Sequence, residues 1–357
     1  MSVFFIAEAG VNHNGDIDTA KRLVDCAAAA GADAVKFQTF VADQLVTKKA
    51  RQAGYQARNT NRDISQYQML KELELSFDSY WMLSEYCKNV GIEFMSTAFD
   101  SPSLKFLVQD IGLTRLKIPS GDITNAPFLL EHARTGADLI VSTGMCTIRE
   151  IQEALSVIAL GYGGDLSDSE LSQIDVLGND LLSQQLAEKI VLLHCTTEYP
   201  APLDTINLKA MSTLKHEFGL PVGYSDHSEG DVVSIAAVAQ GAQIIEKHFT
   251  LDRSLPGPDH KASMEPRALS GLIRSIRDVE IALGDGFKGP KEVENKNRDV
   301  ARKSLVASCD IAKGDVFSDE NVAVKRPGTG ISPFEYWGLL NTKAHKDYFE
   351  GDLIEKA

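Results

Sequence analysis

Two histidines, two lysines and several carboxylates recur at matching points of a repeating pattern in this 357-residue chain. His227 follows Gly223-Tyr224-Ser225-Asp226, and His248 follows Ile244-Ile245-Glu246-Lys247, each closing a short apolar run. Neutral imidazoles from neighbouring runs suit a divalent transition metal. A lone histidine at such a place is more often a core or loop residue with a satisfied hydrogen bond. The pair shifts the expectation towards a cation. No third protein ligand is evident, so water and substrate are expected to complete the shell, which favours a catalytic ion over a structural one. Asp226 and Glu246 are expected to orient the imidazoles or to hold metal-bound water. His13 and His260 are weaker candidates, while His132, His216 and His345 read as surface residues.

Lys36 and Lys117 each lie inside an apolar run, where an ammonium is costly unless it meets an anion. Thr97, Ser120 and Ser225 add hydroxyl donors, and Pro119-Ser120-Gly121 offers backbone N–H groups. Together these make a cradle for a phosphate and a carboxylate. The structural alternative is a pair of ion pairs with Glu8 and Asp122. The chemical alternative is a Schiff-base lysine aldolase. Two lysines beside a histidine pair fit anion clamping better than imine chemistry.

These residues need a frame that brings them together. Short apolar runs alternate with amphipathic helical patterns through the first 250 or so residues. The runs at 4–9, 34–39, 93–97, 115–119, 139–143, 190–195, 221–225 and 242–249 read as buried parallel strands. Helical patterns lie between them, as at 18–30, 77–89, 148–160 and 232–240. Eight such units predict a (β/α)8 barrel, which needs roughly 250 residues. A doubly wound open sheet is the competing architecture, but no GxGxxG follows the first strand. All eight strands end in polar or reactive side chains, among them His194, Ser225-Asp226 and Glu246. A barrel gathers chemistry at that end.

The catalytic barrel is expected over residues 1–283. Residues 43–73 read as an extended loop with a short helix, and residues 161–188 as a surface insertion. Residues 284–296 read as a linker, and 297–357 as a small β-rich domain. A net charge of −14 disfavours a nucleic-acid or acidic-membrane partner. No apolar run approaches the roughly 18 residues of a membrane span, and the N-terminus lacks a basic start, so no signal peptide is expected. The five scattered cysteines show no CxxC spacing and read as reduced thiols of a cytoplasmic protein.

The motifs Glu8-Ala9-Gly10-Val11-Asn12-His13-Asn14-Gly15, Val35-Lys36-Phe37-Gln38-Thr39, Lys117-Ile118-Pro119-Ser120-Gly121 and His194-Cys195-Thr196-Thr197-Glu198-Tyr199-Pro200 continue with Gly223–His227, Glu246-Lys247-His248-Phe249-Thr250, Pro256–His260 and Lys325–Gly330. Taken together, this sequence resembles the sialic acid synthase family over nearly its whole length. The resemblance implies a TIM barrel followed by a small antifreeze-like (SAF) domain. It implies condensation of phosphoenolpyruvate with an open-chain N-acetylated mannose-type sugar, with release of phosphate. A divalent cation, manganese or magnesium, would bind His227 and His248. Lys36, Thr97, Lys117, Ser120, Thr197 and Ser225 would contact phosphoenolpyruvate, and Gln38, Tyr199 and Asp259 the sugar. Glu8 and Asp122 are the acid/base candidates. The resemblance also implies an exchanged homodimer in which Arg326 reaches the sugar bound by the other subunit. Asp122 stands where relatives often carry Glu, and Thr197 where some carry Asn. The wording of 194–200 is nearest to the branch making N,N'-diacetyllegionaminate from 2,4-diacetamido-2,4,6-trideoxymannose rather than N-acetylneuraminate from N-acetylmannosamine. A tail that binds ice is disfavoured by its many charges, among them Lys313, Asp315, Asp319 and Glu320.

Overall fold

The computed structural model describes residues 2–60, 62–163 and 180–356, without the side chains of 180–184. They form two compact units, Met1–Gly284 and Asp285–Ala357.

The first unit is a closed barrel of eight parallel strands in sequential order: β1 (Phe4–Gly10), β2 (Ala34–Thr39), β3 (Glu93–Ala98), β4 (Arg115–Ile118), β5 (Asp138–Ser142), β6 (Ile190–Cys195), β7 (Val222–Asp226) and β8 (Ile244–His248). Closure comes from β1 pairing with β8, which sets Glu8 beside His248. The expected (β/α)8 barrel is therefore the fold. The strand limits move by one or two residues, with β4 stopping before Pro119 and β8 starting at Ile244.

Strand alternation divides the residues between two cores. Phe5, Ala7, Val35, Phe37, Leu116, Leu139, Val141, Leu192, Val222, Tyr224 and Ile245 point outward and pack under the helices. Ile6, Ala34, Met95, Ile140, Leu193 and Ile244 point inward and fill the barrel as a separate apolar layer. Two residues further along the same strands stand Glu8, Lys36, Thr97, Ser142, Cys195 and Glu246, each on the same face as the apolar residue before it. The barrel thus carries a polar layer on an apolar plug.

The helices begin and end where local chemistry dictates. Ile17–Ala30 is capped by the Asp16 carboxylate and closed by Gly31 at φ 87°. Phe77–Val90 is capped by Ser76. Residues 43–73 hold three helices rather than a loop with one: Ala42–Leu45, Gly54–Thr60 and Gln66–Leu73. The last carries a Ser65/Gln68 capping box and packs Met69, Leu70 and Leu73 on Val11, Phe40 and Ala42. Of the expected insertion, Gly161–Gly163 completes the helix Ile148–Gly163, and a helix spans Asp180–Lys189. Residues 164–179 lie outside the described residues. His132 is buried rather than superficial, with its ring edge-on to Phe128 and its Nδ1 on the Phe128 carbonyl.

The second unit opens with a helix at Glu292–Ala301, so the expected linker is partly helical. An antiparallel pair follows, β9 (Ser304–Ala307) with β10 (Val322–Lys325). Leu305, Ala307, Ile311, Phe317, Val322, Tyr348 and Ile354 close a small core of its own.

Candidate functional site

Above the apolar plug, the C-terminal ends of the strands enclose a cavity of about 490 Å³. It is lined by Glu8, Asp122, His227 and His248, by Lys36, Thr97, Lys117, Ser120, Thr197 and Ser225, and by Gln38 and Tyr199. Twelve of the fourteen residues singled out above therefore share one cavity. Asp259 is buried in the loop after β8 but does not line it. Arg326 is exposed in the second unit, its Nε donating to the Ala301 carbonyl.

Charge in the cavity is concentrated and paired. Lys36 Nζ lies 2.7 Å from Glu8 Oε2 and 3.5 Å from Glu246 Oε2, and it donates to Thr97 Oγ1 at 3.0 Å. Lys117 Nζ reaches both Glu246 oxygens, at 2.8 and 3.0 Å. Ser225 Oγ also donates to Glu246, at 2.8 Å. Burial alone would raise the Glu246 carboxyl, but Lys117 and then Lys36 outweigh it and hold the group well below the usual range. Glu8 goes the other way. Its burial is offset only partly by Lys36 and is reinforced by Glu246, which pushes it up to about 7. Lys36 is raised despite its burial, because Glu246 and Glu8 favour its charged form. A protonated, ion-paired lysine is a poor imine-forming nucleophile, which weighs against the aldolase alternative.

The two imidazoles converge. Their ring centroids are 5.6 Å apart, within reach of one ion held at roughly 2.1 Å by a nitrogen of each. The His227 Nδ1 proton goes to the Thr196 carbonyl at 2.7 Å, which leaves Nε2 as a lone-pair donor. His248 Nδ1 is buried with no hydrogen-bond partner. Burial drives the His227 pKa down to about 4 and that of His248 well below its usual value, so both rings are neutral near pH 7. Among the described residues, no three His, Cys, Asp or Glu side chains gather as a ready-made cage. Two neutral imidazoles, one with an orphaned nitrogen, nevertheless fit a divalent cation that takes its other ligands from water and substrate.

Several expectations are corrected by strand alternation. Asp226 does not orient the imidazoles: it points out of the barrel, pairs with Lys247 at 2.9 Å and accepts from Ser228 and Ser234. Glu246 faces inward but serves the lysines rather than the histidines. His194 also points outward, onto the Ile206 carbonyl. Asp122 takes no part in an ion pair with Lys117. It sits in a short turn, accepts from Asn125 at 3.1 Å and is raised by burial. His13 and His260 lie buried in the loops after β1 and β8, bonded to Gly15 N and to Thr250 and Asn14 respectively.

Tyr55 was not foreseen. It lines the cavity from the short helix Gly54–Thr60 and packs on Tyr199 with centroids 4.8 Å apart and the rings tilted by 32°. Tyr199 in turn lies 4.1 Å from the His227 ring. Arg58 bonds Glu198 at 2.9 Å and Asn59 bonds the Pro258 carbonyl at 2.7 Å, tying that helix over the site. Its only signal in the sequence was the density of Tyr and Gln in the segment.

The sequence profile of the NeuB family matches residues 23–288. The chain belongs to the NeuB family. Beyond the NeuB match, residues 302–357 match the SAF domain, so the small second unit is the antifreeze-like domain that the motifs implied. Among curated NeuB-type relatives, the N,N'-diacetyllegionaminic acid synthase of Legionella pneumophila is 49% identical over 99% of this chain and 94% of that protein. The enzyme of the same name from Campylobacter jejuni is 47% identical over 98% of each. Among solved structures, the N-acetylneuraminic acid (sialic acid) synthetase of Leptospira borgpetersenii, in complex with citrate, is 33% identical, with a TM-score of 0.66 over 83% of this chain and 90% of that one. The motifs and the NeuB profile agree, and the chain is a synthase of the sialic acid type.

Proposed function

We propose that this synthase condenses phosphoenolpyruvate with the open-chain form of an N-acetylated mannose-type sugar and releases phosphate by carbon–oxygen cleavage. The observation that carries this reading is the sharing of one cavity by two buried ammonium groups, three carboxylates and two neutral imidazoles. The preferred sugar is 2,4-diacetamido-2,4,6-trideoxymannose, giving N,N'-diacetyllegionaminate. The two relatives of that name near 50% identity support this choice over N-acetylmannosamine and N-acetylneuraminate.

Lys36 and Lys117 hold the two anionic ends of phosphoenolpyruvate, with Thr97, Ser120, Thr197 and Ser225 donating hydrogen bonds. Gln38 and Tyr199 hold the sugar. His227 and His248 would hold a divalent cation, manganese or magnesium, which would supply Lewis-acid polarisation of the sugar aldehyde. Carbon 3 of phosphoenolpyruvate bonds to the aldehyde carbon, whose oxygen takes the proton carried by the Glu8 carboxyl. Water adds at carbon 2 and gives its proton to Glu8, with Asp122 as the alternative acceptor. The tetrahedral species collapses to the keto acid, and phosphate leaves with its bridging oxygen. Holding both substrates in register is worth roughly 7–11 kcal/mol at the upper end. The enzyme works as a cytoplasmic homodimer, the SAF domain being exchanged so that the partner's Arg326 reaches the N-acetyl group.

The test is direct. Purified protein is incubated with phosphoenolpyruvate, manganese and each sugar in turn, and released phosphate is measured. Release with the trideoxy sugar supports the reading; release with neither sugar refutes it.

A further inference from the structure

The cavity is not polar throughout. One side is made by Phe40, Leu45, Val46, Leu70 and Phe99. These belong to a small hydrophobic cluster distinct from the barrel core, built on Val11, Ala42, Met69 and Leu73. Phe40 and Leu70 are buried, whereas Leu45, Val46 and Phe99 are only partly covered. Uncovered aliphatic surface facing a cavity full of charges is unfavourable unless a ligand covers it.

The height of this wall in the fold tells which part of a ligand meets it. Glu8 and Lys36 lie within their strands, two and three residues short of the C-terminal ends, and His248 is the last residue of β8. Phe40 and Phe99 each come one residue after the end of their strand, β2 and β3, while Leu45, Val46 and Leu70 come from the helical segment beyond. The wall therefore stands above the reacting groups. A linear sugar whose aldehyde carbon lies beside the imidazoles would present its far carbons to it. Gln56 and Gln66, from the same segment, also line the cavity and offer amide donors and acceptors.

We propose that Phe40, Leu45, Val46, Leu70 and Phe99 form a specificity wall that selects sugars whose terminal carbon is a methyl rather than a hydroxymethyl group. The inference rests on the reading above, that an open-chain sugar occupies this cavity. A terminal hydroxyl against the wall loses its water and gains no partner from these five side chains, whereas a methyl group covers their exposed apolar surface. An apolar pocket rejects an added hydroxyl by about 100-fold, and no more, without editing.

The experiment uses the full chain, phosphoenolpyruvate, manganese and two sugars that differ only at carbon 6: 2,4-diacetamido-2,4,6-trideoxymannose and its 6-hydroxy counterpart. Phosphate release gives kcat/KM for each. The wild-type ratio is expected to favour the deoxy sugar about 100-fold. Val46→Thr, which keeps the shape and adds a hydroxyl, and Leu45→Gln, which changes a second position, are each expected to lower that ratio by about tenfold. A wild-type ratio near one, or a ratio unchanged in both variants, overturns the wall and leaves the synthase reading standing. Phosphate release with neither sugar overturns the synthase reading and the wall with it.

Discussion

Lys117 and Glu246 form an ion pair at 2.8 Å that crosses the barrel, from β4 to the strand opposite it in the closed order, β8. Both side chains are almost wholly buried. Breaking such a pair on one side leaves an uncompensated charge and costs about 3–5 kcal/mol, whereas replacing both members with apolar groups is often neutral. Lys117→Met leaves Glu246 with Lys36 at 3.5 Å and with Ser225, so it is expected to lower stability by less than that amount in urea unfolding. Lys117→Met with Glu246→Leu should recover most of the loss yet stay inactive. A double variant as unstable as the single one would show that the pair is kept for the fold rather than for the substrate.

His248 brings an orphaned nitrogen to the cavity. His248→Ala is expected to abolish phosphate release and to weaken manganese binding by about tenfold or more, at least the effect of losing a group that merely orients a ligand. Manganese titration followed by electron paramagnetic resonance reads this without turnover. Equal affinity in variant and wild type would place the ion elsewhere.

Glu8 and Asp122 differ in setting. Glu8 is buried beside Lys36, while Asp122 is half-covered in a turn and bonded to Asn125. If Glu8 manages the proton, Glu8→Gln should lower kcat by about 10²–10⁴-fold. Asp122→Asn should lower it by less than about tenfold. The reverse order in steady-state phosphate release would reassign the role to Asp122.

Asp259 is raised to about 6 by burial alone. A carboxyl that titrates higher folded than unfolded binds more protons in the native state. Its contribution is therefore best at low pH and is lost as pH rises from about 4 through 6. Asp259→Asn removes that titration. The variant is expected to match wild type near pH 3.5 and to gain up to about 3 kcal/mol above pH 7. Parallel stability–pH curves for the two proteins would contradict the burial argument.

The barrel and much of its polar layer were legible because strand periodicity is written residue by residue. Ile6 and Glu8, Ala34 and Lys36, Met95 and Thr97, Ile244 and Glu246 are each two positions apart, so an inward apolar residue announces an inward polar one. The same rule, followed one step further, would have turned His194 and Asp226 outward, since Cys195 and Ser225 face in. His132 was legible too, because Phe128, Leu129, His132 and Ala133 fall on one helical face. Tyr55 was not. Its place depends on bonds from Arg58 to Glu198 and from Asn59 to Pro258, contacts between segments 140 and 199 residues apart that no local pattern encodes.

The reaction itself is tested most directly by isotope. Phosphoenolpyruvate labelled with oxygen-18 at the bridging position is turned over with the trideoxy sugar and manganese, and both products are analysed by mass spectrometry. The label is expected in the released phosphate. Label kept in the keto acid would contradict the account.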